Sequence, residues 1–170
     1  MRKTRKMVLL SLFTTVALTI FVIEANLPSF TAIPGVKLGL ANCVTLLVLL
    51  FWSWKEAGMV LLMRIVLGCM FTGQAVMFLY SLAGGICCLI AMQLVKPVLK
   101  NDMCWLVSVV GAVFHNIGQI MAACLIVKSM SVFVYLPILL ISGILTGMFT
   151  GFCIQYLYRN KHIRALFLQE

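Results

Sequence analysis

Six long apolar runs, nearly free of charge, decide what this chain can fold into. From Met7 to Tyr158 nine residues are charged: Glu24, Lys37, Lys55, Glu56, Arg64, Lys96, Lys100, Asp102 and Lys128. All but Arg64 lie at or beside the end of a run. Hydrophobic residues make up 64% of the 170, against roughly 45–50% in soluble domains. A sphere of this size cannot hide that much apolar surface from water. With a mean hydropathy of +1.15, most of the chain has lipid as its solvent.

A spanning helix needs about 20 residues, so the spans can be read from where charge and turn residues interrupt the runs. They fall at about 7–23, 36–54, 57–73, 75–95, 103–127 and 132–158. The chain is therefore expected to be one all-α integral membrane domain of six transmembrane helices. A basic start before an apolar run also fits a secretory signal. This run is long for one, and the later spans need a membrane in any case. Between the first two spans, residues 24–35 contain Pro28 and Pro34 and cannot form one regular helix. They read as an outer loop.

Orientation follows from the basic residues, which concentrate on the cytoplasmic side. With the N-terminus inside, the inner segments hold Arg2, Lys3, Arg5, Lys6, Lys55, Lys96, Lys100, Arg159, Lys161 and Arg164, and the outer loops only Lys37 and Lys128. Both termini are expected in the cytoplasm of a multi-pass cell-membrane protein. Trp52, Trp54, Trp105, Tyr156 and Tyr158 then fall near the inner interface, where amphipathic rings prefer to sit. The net charge of +9 is a topology signal. Nucleic-acid binding would need a folded basic surface, and none is available.

The few acids exclude much chemistry. Asp102 is the only aspartate and Glu24, Glu56 and Glu170 the only glutamates, too few for paired-carboxylate catalysis or a carboxylate-rich Mg²⁺ cage. Seven cysteines lie in apolar runs without a CxxC, and His115 and His162 are the only histidines. No metal-site spacing results, and no cofactor is expected. No GxxxxGK[ST] is present, so the chain hydrolyses no ATP itself.

Polar groups at membrane depth are expensive and face a bundle interior or a cavity. In the fifth span Ser108, Gly111, Ala112, His115, Gly118, Gln119 and Ala122 share one small, polar face. Gly111 and Gly118 leave a notch around the imidazole, with Gln119 one turn along. His115 either locks helix to helix or, with Asn116 and Gln119, lines a binding site. Arg64 lies seven residues into the third span, about 10 Å deep. It either snorkels to the interface or is a buried cation facing Glu24 or an anionic substrate group, with Gly68 and Thr72 leaving room on its face. At 33–42, Pro34-Gly35 is a turn signal before a helix start. Backbone N–H groups there, with Lys37 beside them, suit an anion, and Asn42 and Thr45 follow on the same side. Gly143, Gly147 and Gly151 at four-residue spacing permit close helix contact.

IPGVKLGLAN (33–42), LLMRIVLG (61–68), SLAGG (81–85), GAVFHNIGQ (111–119) and SGILTGMFTG (142–151) resemble the Gx transporter family, also labelled heptaprenyl diphosphate synthase component I. That family is similar to the substrate-binding S components of energy-coupling factor transporters. The resemblance implies an S-component-like bundle whose first outer loop lids a site open to the outside. It also implies partners, a transmembrane coupling subunit and two ABC ATPases. S components often carry alanines four apart on helix one; here the small series is Ser11, Thr15, Thr19.

The expected function is binding a small vitamin-like, isoprenoid or aromatic molecule with a polar or anionic head. Glu24, Lys37, Asn42, Arg64, His115, Asn116 and Gln119 are the candidate site residues. The alternative is a non-catalytic accessory subunit in prenyl-diphosphate or quinone metabolism, or in a flavin- or quinone-linked redox system. A prenyl-transfer enzyme would hold its diphosphate through two aspartate-rich motifs, and one aspartate cannot supply them.

Overall fold

The computed structural model describes residues 3–26, 39–73, 75–99 and 103–168, and these are helical throughout apart from turns. The helices are α1 (Lys3–Asn26), α2 (Asn42–Phe51), α3 (Trp54–Thr72), α4 (Ala75–Val95), α5 (Cys104–Val127), α6 (Leu136–Arg159) and α7 (Lys161–Leu168). A 3-10 segment, Met130–Tyr135, leads into α6. The segments Thr4–Asn26, Ala75–Val95, Cys104–Val127 and Met130–Arg159 are long and apolar enough to cross a membrane.

Local chemistry sets several of the ends. Gly73 stops α3 in the left-handed region at φ 67°, its N–H returning to Cys69 O at 2.9 Å. Pro137 in the first turn of α6 has no N–H to leave unsatisfied there. Ser53, just before α3, donates its hydroxyl to Glu56 in the first turn.

Successive helices α1 to α6 alternate in direction. Lys6 at the start of α1 pairs with Glu56 at the start of α3. Lys96, just past α4, donates to Leu49 O near the end of α2 at 2.6 Å, and its partial burial pulls its pKa below the usual lysine value. Cys104, Phe51 and Tyr158 meet where α5 begins and α2 and α6 end. One end of the bundle therefore collects most of the described basic residues, together with Trp52 and Tyr158. Lys128 sits at the other end, in the turn after α5.

α2 lies at the centre, touching α1 and each of α3 to α7. It is ten residues long, about 15 Å at 1.5 Å per residue, half of a hydrocarbon core of about 30 Å. Seven of its residues are buried, and Leu46, Val48 and Leu49 pack with Ala17, Val60, Met92, Val107 and Ile154 in the main core. Of the described part of the second helix expected over 36–54, Asn42–Phe51 is helical. Gly39, Leu40 and Ala41 form a turn, because Gly39 stands at φ 78° and α1 holds its N–H. Residues 27–38, with most of the expected lid loop and Lys37, lie outside the described residues. Residues 24–26 close α1 as helix rather than opening that loop. α7 was not foreseen. Its Ile163 and Phe167 pack on the Phe51, Cys104 and Tyr158 cluster.

Glycine seams bring the last helices together. A Cβ on Gly147 would stand 2.9 Å from Val109 Cα, and one on Gly151 2.6 Å from Trp105 Cα. Backbone therefore meets backbone between α5 and α6. On the other flank of α5, Gly118 packs on Ala83 O and Gly84 Cα of α4.

Candidate functional site

Arg64 is the eleventh residue of α3, about 15 Å along it, and only 2% exposed. It does not snorkel. Its Nη2 donates to Oδ1 of Asn42, the first residue of α2, at 3.0 Å. The room expected beside it at Gly68 is filled by the Phe21 ring of α1, 2.4 Å from where a Cβ would stand.

Glu24, 7% exposed near the end of α1, accepts from the N–H groups of Gly39 and Leu40. These donors precede α2, at the positive end of its dipole, where a carboxylate is stabilised. The positive φ of Gly39 is a conformation only glycine enters without cost. The turn closes through Asn42 N to Gly39 O at 2.9 Å and Cys43 N to Leu40 O at 3.1 Å. Gly39 and Leu40 are half-buried and Ala41 is buried. Glu24 also acts on Arg64 through its charge. At the turn before α2 these N–H groups are taken by the protein's own carboxylate.

α5 supplies the opposite wall. His115, Asn116 and Gln119 are all buried. A Cβ on Gly39 would lie 2.6 Å from His115 Cδ2, and one on Gly84 of α4 would lie 2.8 Å from both Nδ1 and Cε1. The imidazole is clasped between two surfaces without side chains. The same Gly84 position is 2.8 Å from Gln119 Cγ. Gly111, expected to open a notch for the imidazole, instead receives Met92 and Cys88 of α4. Asn116 faces α6. Its Nδ2 donates to Leu139 O at 2.6 Å, over Gly143.

The structure thus brings Glu24, Asn42 and Arg64 into one cluster, sets His115 and Gln119 against it through Gly39 and Gly84, and turns Asn116 to the α6 seam. Arg64 Nε, Asn42 Nδ2, Thr45 Oγ1 and Ser81 Oγ are buried without a hydrogen-bond partner among the described residues. Gly39, Ser81 and the α6 hydroxyls escaped the sequence reading. The spacing of Ser142, Thr146 and Thr150, beside the glycine series, was the available signal. Ser108 and Thr150 hydroxyls meet at 3.1 Å in the wall of a cavity shared with Asn42, Cys88 and Thr146. It measures about 10 Å³, room for one water. Among the described residues no three His, Cys, Asp or Glu side chains converge as a metal site would require. The cluster gathers one anionic, one cationic and several neutral hydrogen-bonding side chains.

A family model described as heptaprenyl diphosphate synthase component I matches residues 13–157. No curated protein matches the chain, and no solved structure does.

Proposed function

The chain belongs to the heptaprenyl diphosphate synthase component I family, and from that premise we propose that it is a membrane-embedded, non-catalytic subunit that binds a small molecule for uptake, as an S component does. One observation carries the reading. Glu24, Asn42, Arg64, His115 and Gln119, from four different helices, converge where α2 begins partway along the bundle. Helices interrupted at membrane depth, with an N-terminus aimed at an anionic group, are how many transporters build a substrate site. Packing alone would be served more cheaply by apolar side chains, because an uncompensated arginine at that depth costs at least about 2.5–3.5 kcal/mol.

In this reading α1 to α6 are the six spans, and both termini face the cytoplasm. The ligand carries a polar or anionic head, and the coupling subunit and two ATPases are the partners. A second reading draws on the family's description, which names one component of a synthase and so implies another. The chain would then be the membrane accessory of a prenyl-diphosphate or quinone-linked enzyme.

Purification in detergent separates them. Mass spectrometry of wild-type protein is expected to find a retained small molecule, lost from Arg64→Gln. ATPases in the same preparation favour uptake, and a soluble prenyl synthase or flavoprotein favours the accessory role. Wild-type protein that retains nothing would defeat the binding-subunit reading.

A further inference from the structure

The turn at residues 39–42 offers more donors than its present occupant uses. Glu24 takes the N–H groups of Gly39 and Leu40. Asn42, the last residue of this turn, and Arg64, hydrogen-bonded to it, are 6% and 2% exposed, and Asn42 Nδ2 and Arg64 Nε are buried without a partner among the described residues. An arginine that presents both Nε and Nη2 is the fork that grips a carboxylate or phosphoryl group through two parallel bonds. Here one tooth of the fork holds a neutral amide, 3.0 Å away, and the other holds nothing described.

The carboxylate in place is also set where it can leave. Glu24 lies two residues from the end of α1, whose last residue, Asn26, is exposed. α1 packs chiefly on α3, while the glycine seams join α4, α5 and α6 independently of it. Withdrawing the tip of α1 would give up at least the hydrogen bonds to Gly39 and Leu40 and the packing of Ala25 beside Ala41, and would leave those seams intact.

We propose, building on the binding-subunit reading above, that the turn at 39–42 with Arg64 and Asn42 is the seat for the carboxylate or phosphoryl group of a soluble ligand, and that Glu24 is a placeholder which the ligand's anion displaces. Exchanging one anion for another keeps the charge beside Arg64 constant. A neutral ligand that displaced Glu24 would strand a buried cation. Binding thereby moves α1, so occupancy is reported on the surface where α1 meets lipid or a partner.

Glu24→Ala empties the seat, with formate and inorganic phosphate as probes and thermal unfolding in phospholipid-free micelles as the readout. Glu24→Ala is expected to be less stable than wild type and to recover when either anion is added. Its half-saturating concentration should lie about tenfold or more below that of wild type, the gain from freeing charge-assisted donors. Arg64→Gln in the same background should abolish the recovery. An equal response in wild type and Glu24→Ala, or none in either, overturns the proposal. If Glu24→Ala does not fold, Glu24→Gln keeps the side chain's length while removing its charge. The same gain in affinity is expected there, and its absence is equally decisive. Recovery with added phosphatidylglycerol but not with formate or phosphate would assign the seat to a lipid headgroup and overturn the soluble ligand. A molecule retained by wild type without any anion response would spare the binding role and remove this seat. An anion response without a retained molecule would do the reverse.

Discussion

His115 shows how much of the site depends on side chains that are absent. Gly84→Ala would press a methyl group on Nδ1 and Cε1 of the imidazole, 2.8 Å away, an overpacking worth about 1–3 kcal/mol. Gly39→Ala adds backbone strain at φ 78° to a 2.6 Å clash with Cδ2 and is expected to cost more. Gly73→Ala isolates the strain, since at φ 67° nothing lies within 4 Å of its Cβ, and about 1 kcal/mol is expected. Thermal unfolding in micelles should rank Gly39→Ala as the most harmful. A loss no larger than that of Gly73→Ala would mean that the imidazole is not clasped. The sequence made His115 and Gln119 legible because both sit on the one small, polar face of α5. It concealed the clasp, because Gly39 and Gly84 reach His115 only through the fold. Asn42 was legible as a polar residue below a turn, but not as the partner of Arg64.

Among the elements, α2 and α7 depart most from the hydrophobic pattern. The apolar run that becomes α2 was plain, but its start was not, because Glu24 on another helix fixes the turn before it. α7 was hidden by Arg159, Lys161 and Arg164, which read as a basic tail. Ile163 and Phe167, one turn apart, were the signal that a buried face continued. Phe167 stands 4.9 Å from the Phe51 ring and 5.4 Å from that of Phe13, and Arg164 lies 5.2 Å over the Tyr158 ring. Aromatic pairs contribute about 0.5–1.5 kcal/mol each beyond area burial. Phe167→Ala is therefore expected to destabilise by about 1–3 kcal/mol, and Arg164→Gln by less than 1 kcal/mol or so, as an exposed cation–π contact. Equal losses in calorimetry would place α7's contribution in its charge rather than its rings.

For the whole molecule, alternation of the helices was the most legible feature, since charges interrupt the apolar runs between most of the helices. Lys55, Lys96, Arg159, Lys161 and Arg164 gather with the start of α1 at one end, opposite Lys128. The excess of basic residues predicts that this end faces the cytoplasm. Reporter fusions after Glu170 and within residues 128–131 should give opposite signals, and identical signals would refute six crossings. The seam between α5 and α6 has a further consequence, for how such a chain can change over time. At Gly147 and Gly151 any larger residue must push the α5 backbone aside, and at Gly143 it must displace the Asn116 amide, so changes there are costly. Ile141, Leu145 and Phe149 turn outward from the same helix and can exchange with any apolar residue of their kind. One helix thus carries two histories, a fixed inner edge recording the shape of its neighbour and a changeable outer edge recording only that the surroundings were lipid.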